Sequence, residues 1–256
     1  MIFKNFIGVA AGFDKNAEVI NKIHFLNFGF TEVGTITPMP QYGNPKPRIF
    51  RLEKDRAIIN RNGFNNLGML QARKKLEDYR KKFPVGSNFV VGVNIGPNKD
   101  SKDRFNDYKV LAKNLSKFAD YISINVSSPN TPNLREFQKK ENLEKVINFV
   151  KDGIATSKTF NKKLPIFLLL NFPYPQCRKI SGVRANQFLF DLIPENYQVA
   201  VCLDAARQSR PDEVFLSDSG NAQKPVGFPF FFHVLKLCQG GFLPLVTYLS
   251  PLFHQS

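Results

Sequence analysis

Residues 123–135, SINVSSPNTPNLR, decide how the chain is read. Together with the two residues before them they open as a short apolar run. Tyr121, Ile122, Ile124 and Val126 predict a buried strand. The run turns into a polar loop held by Pro129 and Pro132. Each proline fixes its own φ and restricts the residue before it, so the loop is stiff. Asn125, Ser127, Ser128 and Asn130 put two amides and two hydroxyls within six residues. Rigid polar loops at strand ends are where α/β proteins hold small ligands. The same residues also suit a capped turn into the next helix, with Ser and Asn bonding backbone groups.

The neighbouring segments weigh between these readings. Residues 6–12, FIGVAAG, predict a strand ending in small residues that a ligand can approach closely, followed by Asp14 and Lys15. Residues 17–28 suit a helix, and 30–36, FTEVGTI, a second strand ending at Thr35 and Thr37. A proline-rich excursion, 38–47, leads into RIFRLE and AIINRNGFNN, with Gly63 at a tight turn. Residues 68–82 form a basic helix, and 89–95, FVVGVNI, a third strand with Asn94 near its end. A helix over 103–118, a strand over 121–127, a helix over 134–151 and a fifth strand over 164–170 follow.

Strands alternating with helices at about 30-residue spacing predict βαβ units and a parallel sheet. Gly12 and Lys15, Thr35, Asn94, and Asn125 with Ser128 all fall at or just past the C-terminal ends of successive strands. In an α/β barrel those ends form the active face. The chain has neither a GxGxxG nor a GxxxxGK[ST] motif. That favours a (β/α)8 barrel over an open nucleotide-binding sheet.

Composition bounds the reading. The 256 residues, 43% hydrophobic, suffice for one large domain with a real core. The net charge of +15 would suit nucleic acid or an anionic membrane surface. Its densest run, Arg73 to Lys82, is interleaved with Glu77 and Asp78 on a helical pattern and reads as a solvated face. No zinc-finger, RNA-binding or basic-zipper signature accompanies it, so no nucleic-acid partner is expected. No apolar run of about 18 residues predicts a spanning helix. Cys177, Cys202 and Cys238 are unevenly spaced and form no metal or redox motif. A reducing cytoplasm and no metal are expected.

The runs AAGFDK, EVGTITP, GNPKPR, INRNGFNNLG, VNIGPNKD and INVSSPNTPNLR, in this order and spacing, resemble dihydroorotate dehydrogenase, most of all its quinone-linked class. The resemblance covers residues 1–168. It implies a (β/α)8 barrel with FMN that oxidises dihydroorotate to orotate in pyrimidine biosynthesis and passes electrons to quinone. By the same resemblance Ser128 is the base that takes the C5 proton as hydride leaves C6. Ala11, Gly12, Lys15, Thr35, Asn94 and Asn125 would contact the flavin. Lys15, Asn60, Asn62, Gly63, Phe64, Asn125 and Asn130 would hold the substrate, with Arg61 supporting that loop.

The sequence departs from the family in three places. It starts just before the first barrel strand, so the N-terminal helical segment that meets the membrane and admits quinone is expected to be absent. The implied location is cytoplasmic, or peripheral on the inner membrane. Leu169 stands where the family carries a lysine facing the flavin. The later TNT, GGLSG and GVGGI motifs are missing, and the last two help form the family's flavin phosphate site. The sequence therefore divides into 1–168, the N-terminal half of an FMN-binding barrel, and 169–256, a divergent region with no readable strands after residue 170. That second region is expected to be incomplete or disordered, as in a degraded or frame-shifted copy. A non-catalytic remnant and a basic binding protein stand as alternatives to an active enzyme.

Overall fold

The computed structural model describes residues 3–4, 7–54, 57–157, 164–170, 199–203, 231–233 and 246–249. In chain order these form β1 (Ile7–Val9), α1 (Ile20–Phe25), β2 (Phe30–Ile36), β3 (Ile49–Leu52), β4 (Ala57–Asn60), α2 (Met69–Lys82), β5 (Val90–Ile95), α3 (Arg104–Leu115), β6 (Tyr121–Asn125), α4 (Lys140–Thr156), β7 (Ile166–Leu170), β8 (Val199–Leu203), β9 (Phe231–His233) and β10 (Val246–Leu249). The main sheet runs β8-β7-β6-β5-β2-β1-β10-β9. Every pairing from β8 to β10 is parallel, and only β9 is antiparallel to its neighbour. This is the parallel, helix-covered sheet of an α/β barrel.

Strands β2, β5 and β6 are buried at every position, as expected for strands covered on both faces. Their two faces differ. Val33, Ile36, Val91, Val93, Ile95, Ile122, Ile124, Ile166, Leu168 and Leu170 join a core with the residues of α2, α3 and α4. The inner face begins with Phe30, Val90, Tyr121 and Phe167, with Leu169 packed alongside. A side chain at Gly92 would overlap the Tyr121 ring, since its Cβ would lie 2.0 Å from Cζ, so this inner layer needs a glycine there.

Farther along the same face the residues turn polar, and β2 changes register to allow it. Val33 pairs with Val93, Ile36 pairs with Ile95, and the ladder shifts between them. Gly34, with φ +112°, sits in this irregularity, and a Cβ on it would strike the Asn94 carbonyl oxygen at 2.4 Å. As a result Glu32 and Thr35, three apart in sequence, both bond to Asn94.

Several boundaries move from their expected positions. The first strand ends at Val9, and α1 begins only at Ile20. The cause is Asp14, whose carboxylate accepts from the Glu18 and Val19 amides at 2.7 and 2.9 Å and holds residues 14–19 in turns. The helix expected from 134 begins as a 3₁₀ turn, Leu134–Gln138, with α4 following. IFRL and AIIN, left unassigned by pattern, pair as the antiparallel hairpin β3–β4. Beyond residue 170, where the sequence shows no readable strand, β8 extends the sheet from β7 and β10 pairs with β1. The expectation that 169–256 is incomplete or disordered otherwise lies outside the described residues, as do Cys177 and Cys238. Among the described residues no helix is long and apolar enough to cross a membrane, and no group of side chains could hold a metal ion.

Arg80 and Asp120 tie α2 to the edge of β6 from the buried side. Their side chains, each 6% exposed, pair at 2.7 Å. Asp120 also accepts from the Gly86 and Val91 amides, and Arg80 donates to the Phe118 carbonyl. Asp120→Ala would strand a buried guanidinium and two amides, so we expect a loss of about 3–5 kcal/mol in stability. Urea unfolding of the two proteins measures it, and a change below about 1 kcal/mol would contradict this role.

Candidate active site

At the C-terminal end of the sheet the ends of β1, β2, β5 and β6 converge. The first loop is stitched to β2 by two backbone bonds, Gly12 N–H to the Gly34 carbonyl at 2.7 Å and Gly34 N–H to the Asp14 carbonyl at 2.9 Å. Lys15 is held there, its ammonium donating to the Gly12 carbonyl at 2.5 Å. It makes no ion pair among the described residues. Burial pulls its pKa below the ordinary lysine range, and the nearby Arg48 charge adds to the effect. A cation in this state favours an anionic ligand.

Behind the lip lies a buried polar series. Thr35 Oγ1 donates to Asn94 Oδ1 at 2.6 Å, and Asn125 Nδ2 donates to Thr35 Oγ1 at 2.9 Å. Asn94 is fully buried and its amide is committed at both ends, with Nδ2 donating to Glu32. Asn125 is fixed from three sides. The Tyr108 hydroxyl donates to its backbone carbonyl at 2.9 Å, and the Ser127 amide and hydroxyl both donate to its Oδ1 at 3.1 Å. Ser127 is thus buried and occupied, whereas Ser128 is half-buried. Among the described residues Ser128 Oγ accepts only the Asn130 amide, at 3.2 Å. Gln138 and Arg135 donate to the Val126 and Ser127 carbonyls, which holds the loop against the start of the next helix.

The hairpin brings the second set of expected residues to this loop. Asn130 Nδ2 reaches Asn60 Oδ1 at 3.5 Å, and Asn62 Nδ2 reaches the same oxygen at 3.3 Å. Arg61 turns away, donating to the Pro47 carbonyl, with its guanidinium 5.8 Å from the centre of the Phe50 ring. Gly63 and Phe64 both have positive φ, and Phe64 is buried.

Four residues that pattern reading passed over belong to this arrangement. Asn66 accepts from the Gly68 and Thr37 amides and donates to Thr37 Oγ1 and the Phe64 carbonyl, locking the hairpin's return to the end of β2. Tyr108 anchors Asn125, and Glu32 anchors Asn94. Thr131, in the serine loop, is buried, and its hydroxyl has no hydrogen-bond partner among the described residues. Only the polar letter inside an apolar strand, Glu32, carried a signal of its own.

The lip has the room and the donors that a flat, anionic, acceptor-rich ring needs. A Cβ built on Gly12 would meet only Lys15 Nζ, at 3.8 Å, so the backbone there faces open space. Lys15 and the half-buried Asn62 and Asn130 supply donors around it. These residues fit the ring of a flavin or of a cyclic imide. Leu169, beside Asn125 in register, contributes an apolar side chain instead of a charge.

Residues 1–190 match the family model described as dihydroorotate dehydrogenase. A dihydroorotate dehydrogenase (quinone) of Bartonella tribocorum is 52% identical over 167 residues, which cover 65% of this chain and 45% of the relative. The mitochondrial dihydroorotate dehydrogenase (quinone) of Cyclocybe aegerita is 45% identical over 194 residues, 75% of this chain and 55% of the relative. The solved dihydroorotate dehydrogenase of Eimeria tenella in complex with ferulenol aligns with TM-score 0.61 at 41% identity, covering 67% of this chain and 50% of that one. The ligand-free form of the same enzyme aligns at 0.63 and 39% identity. The chain spans about half the length of the curated relatives it matches. With motif order, parallel sheet and strand-end polar groups in agreement, the chain belongs to the dihydroorotate dehydrogenase family.

Proposed function

We propose that this chain forms the substrate face of a flavin-dependent oxidoreductase that converts dihydroorotate to orotate in pyrimidine biosynthesis, with quinone as final acceptor at a membrane surface. The observation that carries the reading is the meeting of the serine loop with the hairpin, Asn130 against Asn60, on the side of the sheet where Lys15 stands. FMN, when bound, supplies the acceptor for the hydride leaving C6. Ala11, Gly12, Lys15, Thr35 and Asn125 would line its ring; Asn94, expected among them, is fully buried with its amide committed and would back them through Thr35. Asn60, Asn62, Asn125 and Asn130 read the imide edge of the substrate, Asn125 through an N–H because Ser127 already occupies its oxygen. Gly63 and Phe64 shape the wall, and Lys15 faces the substrate carboxylate.

Ser128 takes the C5 proton. The Asn130 amide occupies one lone pair of its oxygen and holds it in place, leaving the other lone pair toward substrate. A serine hydroxyl acts as a base only if its own proton can leave. The Thr131 hydroxyl of the same loop, buried and without a hydrogen-bond partner among the described residues, would serve as a relay, taking that proton and releasing its own toward solvent. The alternative, a non-catalytic binding protein, would keep the pocket and lose the turnover.

Three outcomes test this reading. With FMN in excess, Ser128→Ala should slow orotate formation from dihydroorotate by at least about a hundredfold while leaving flavin affinity unchanged. Absence of orotate formation by the unsubstituted chain would sink the catalytic assignment. Residues 169–256 lack the family's phosphate-gripping motifs, and each lost charge-assisted bond costs about 1.5–3 kcal/mol. FMN fluorescence quenching should therefore give a dissociation constant weaker than micromolar, and sub-micromolar binding would contradict the departure. Finally, an anion needs Lys15 charged, and its pKa lies below the ordinary lysine value. Orotate affinity should fall as pH rises through that lowered value, at a lower pH than an exposed lysine would give, and Lys15→Met should abolish the dependence.

A further inference from the structure

Glu32 is a titratable group on the inner face of the sheet that the proposed chemistry does not use. It is 6% exposed and has no cationic partner among the described residues. Its Oε1 accepts from Asn94 Nδ2 at 2.7 Å, and its Oε2 accepts from the Tyr121 hydroxyl at 2.9 Å. The Ser123 hydroxyl also reaches it. From Asn94 the series continues through Thr35 to Asn125 and ends at Ser127.

All the donors in this series point the same way, toward Glu32. An asparagine amide has nearly the same shape with its oxygen and nitrogen exchanged, so its partners must decide the orientation. Glu32 offers Asn94 an acceptor, so Asn94 turns its nitrogen inward and its oxygen toward Thr35. Thr35 has one proton and spends it on that oxygen. It can therefore only accept from Asn125, which turns its nitrogen to Thr35. The Ser127 backbone N–H, which can only donate, holds the Asn125 oxygen from the other end, so the series is fixed at both ends. The Asn125 oxygen already takes two donors. What it has left for a ligand is its second N–H.

We propose that Glu32 is a positioning residue, the terminal acceptor that orients Asn94 and, through Thr35, holds the nitrogen of Asn125 while the Ser127 amide holds its oxygen, so that Asn125 presents an N–H donor and no free carbonyl to the ligand. The ligand must then place an acceptor, a carbonyl oxygen or an unprotonated ring nitrogen, against Asn125. Burial pushes the Glu32 carboxyl above the usual range. A neutral carboxyl still keeps a carbonyl oxygen for Asn94, so the direction of the series does not depend on the charge of Glu32. The inference concerns orientation alone and stands apart from the reaction proposed above, so its test needs no turnover.

Nuclear magnetic resonance of the chain labelled with ¹⁵N-asparagine reads the side-chain amides directly, with the Asn125 pair assigned by its loss in Asn125→Asp. Glu32→Leu removes the acceptor and should displace or merge the two Asn125 proton signals, although the two residues share no bond. Glu32→Gln keeps a carbonyl for Asn94, and the Tyr121 hydroxyl can turn to accept from the new amide, so the Asn125 signals should stay at their wild-type positions. In a Thr35→Val background, where the middle link is cut, Glu32→Leu should add nothing. Unmoved Asn125 signals in a folded Glu32→Leu protein would overturn the proposal, as would Glu32→Gln moving them as far as leucine does. If the leucine variant does not fold, Asn94→Leu carries the test. It leaves the carboxyl in place but disconnects it, and an unmoved Asn125 would again overturn the proposal.

Discussion

The polar end of the sheet depends on one break in a ladder, the register shift of β2 between Val33 and Ile36. Side chains alternate along an unbroken strand, so residues three apart face opposite ways. Thr35 would then look toward the helices while Glu32 looked inward. The shift brings both to Asn94, and Ile36 still reaches the outer apolar core. Without it Asn94 would have a buried carbonyl with no donor, and Asn125 would lose the oxygen it donates to. Each such orphan costs about 1–3 kcal/mol.

The inner face is built in tiers. Phe30, Val90, Tyr121 and Phe167 fill the N-terminal end with rings and branched carbon. Tyr121 belongs to both worlds, with its ring among them and its hydroxyl on Glu32. Above it, Glu32, Asn94, Ser123, Thr35 and Asn125 bond mostly to one another, and a closed polar network of this kind resists local rearrangement. The reactive-looking groups, Lys15, Ser128 and Asn130, sit outside this network at the lip and keep spare capacity. Rigidity is placed behind the site, and unused hydrogen-bonding potential in front of it.

Much of this was legible in sequence because a barrel writes its site at strand ends. Lys15, Thr35, Asn125 and Ser128 could be named from position alone, and the structure brings them to one end of the sheet. What could not be read were the long-range partners. Glu32 meets Asn94 and Tyr121 across 62 and 89 residues, and nothing local to FTEVGTI announces either. Asn66 looks like an ordinary loop residue in FNNLG, yet it closes the hairpin onto Thr37. The hairpin itself escaped because all four residues of β3 are exposed, so it lacks the alternation that marks a half-buried strand. The start of α1 was placed too early because Asp14 bonds amides that a helix would otherwise use. The strands beyond residue 170 are only three to five residues long and carry no period.

Among the described residues the hairpin forms a two-stranded sheet of its own, with no ladder to the eight-stranded one. Asn60 and Asn62 ride on it, while Asn125 and Ser128 ride on β6 and its loop. Gauge and blade are thus mounted on separate parts. A change in the length or sequence of residues 49–60 resets how far the gauge reaches and leaves every rung under the blade intact. Divergence in what the pocket measures can accumulate there, touching the serine loop only where Asn60 meets Asn130.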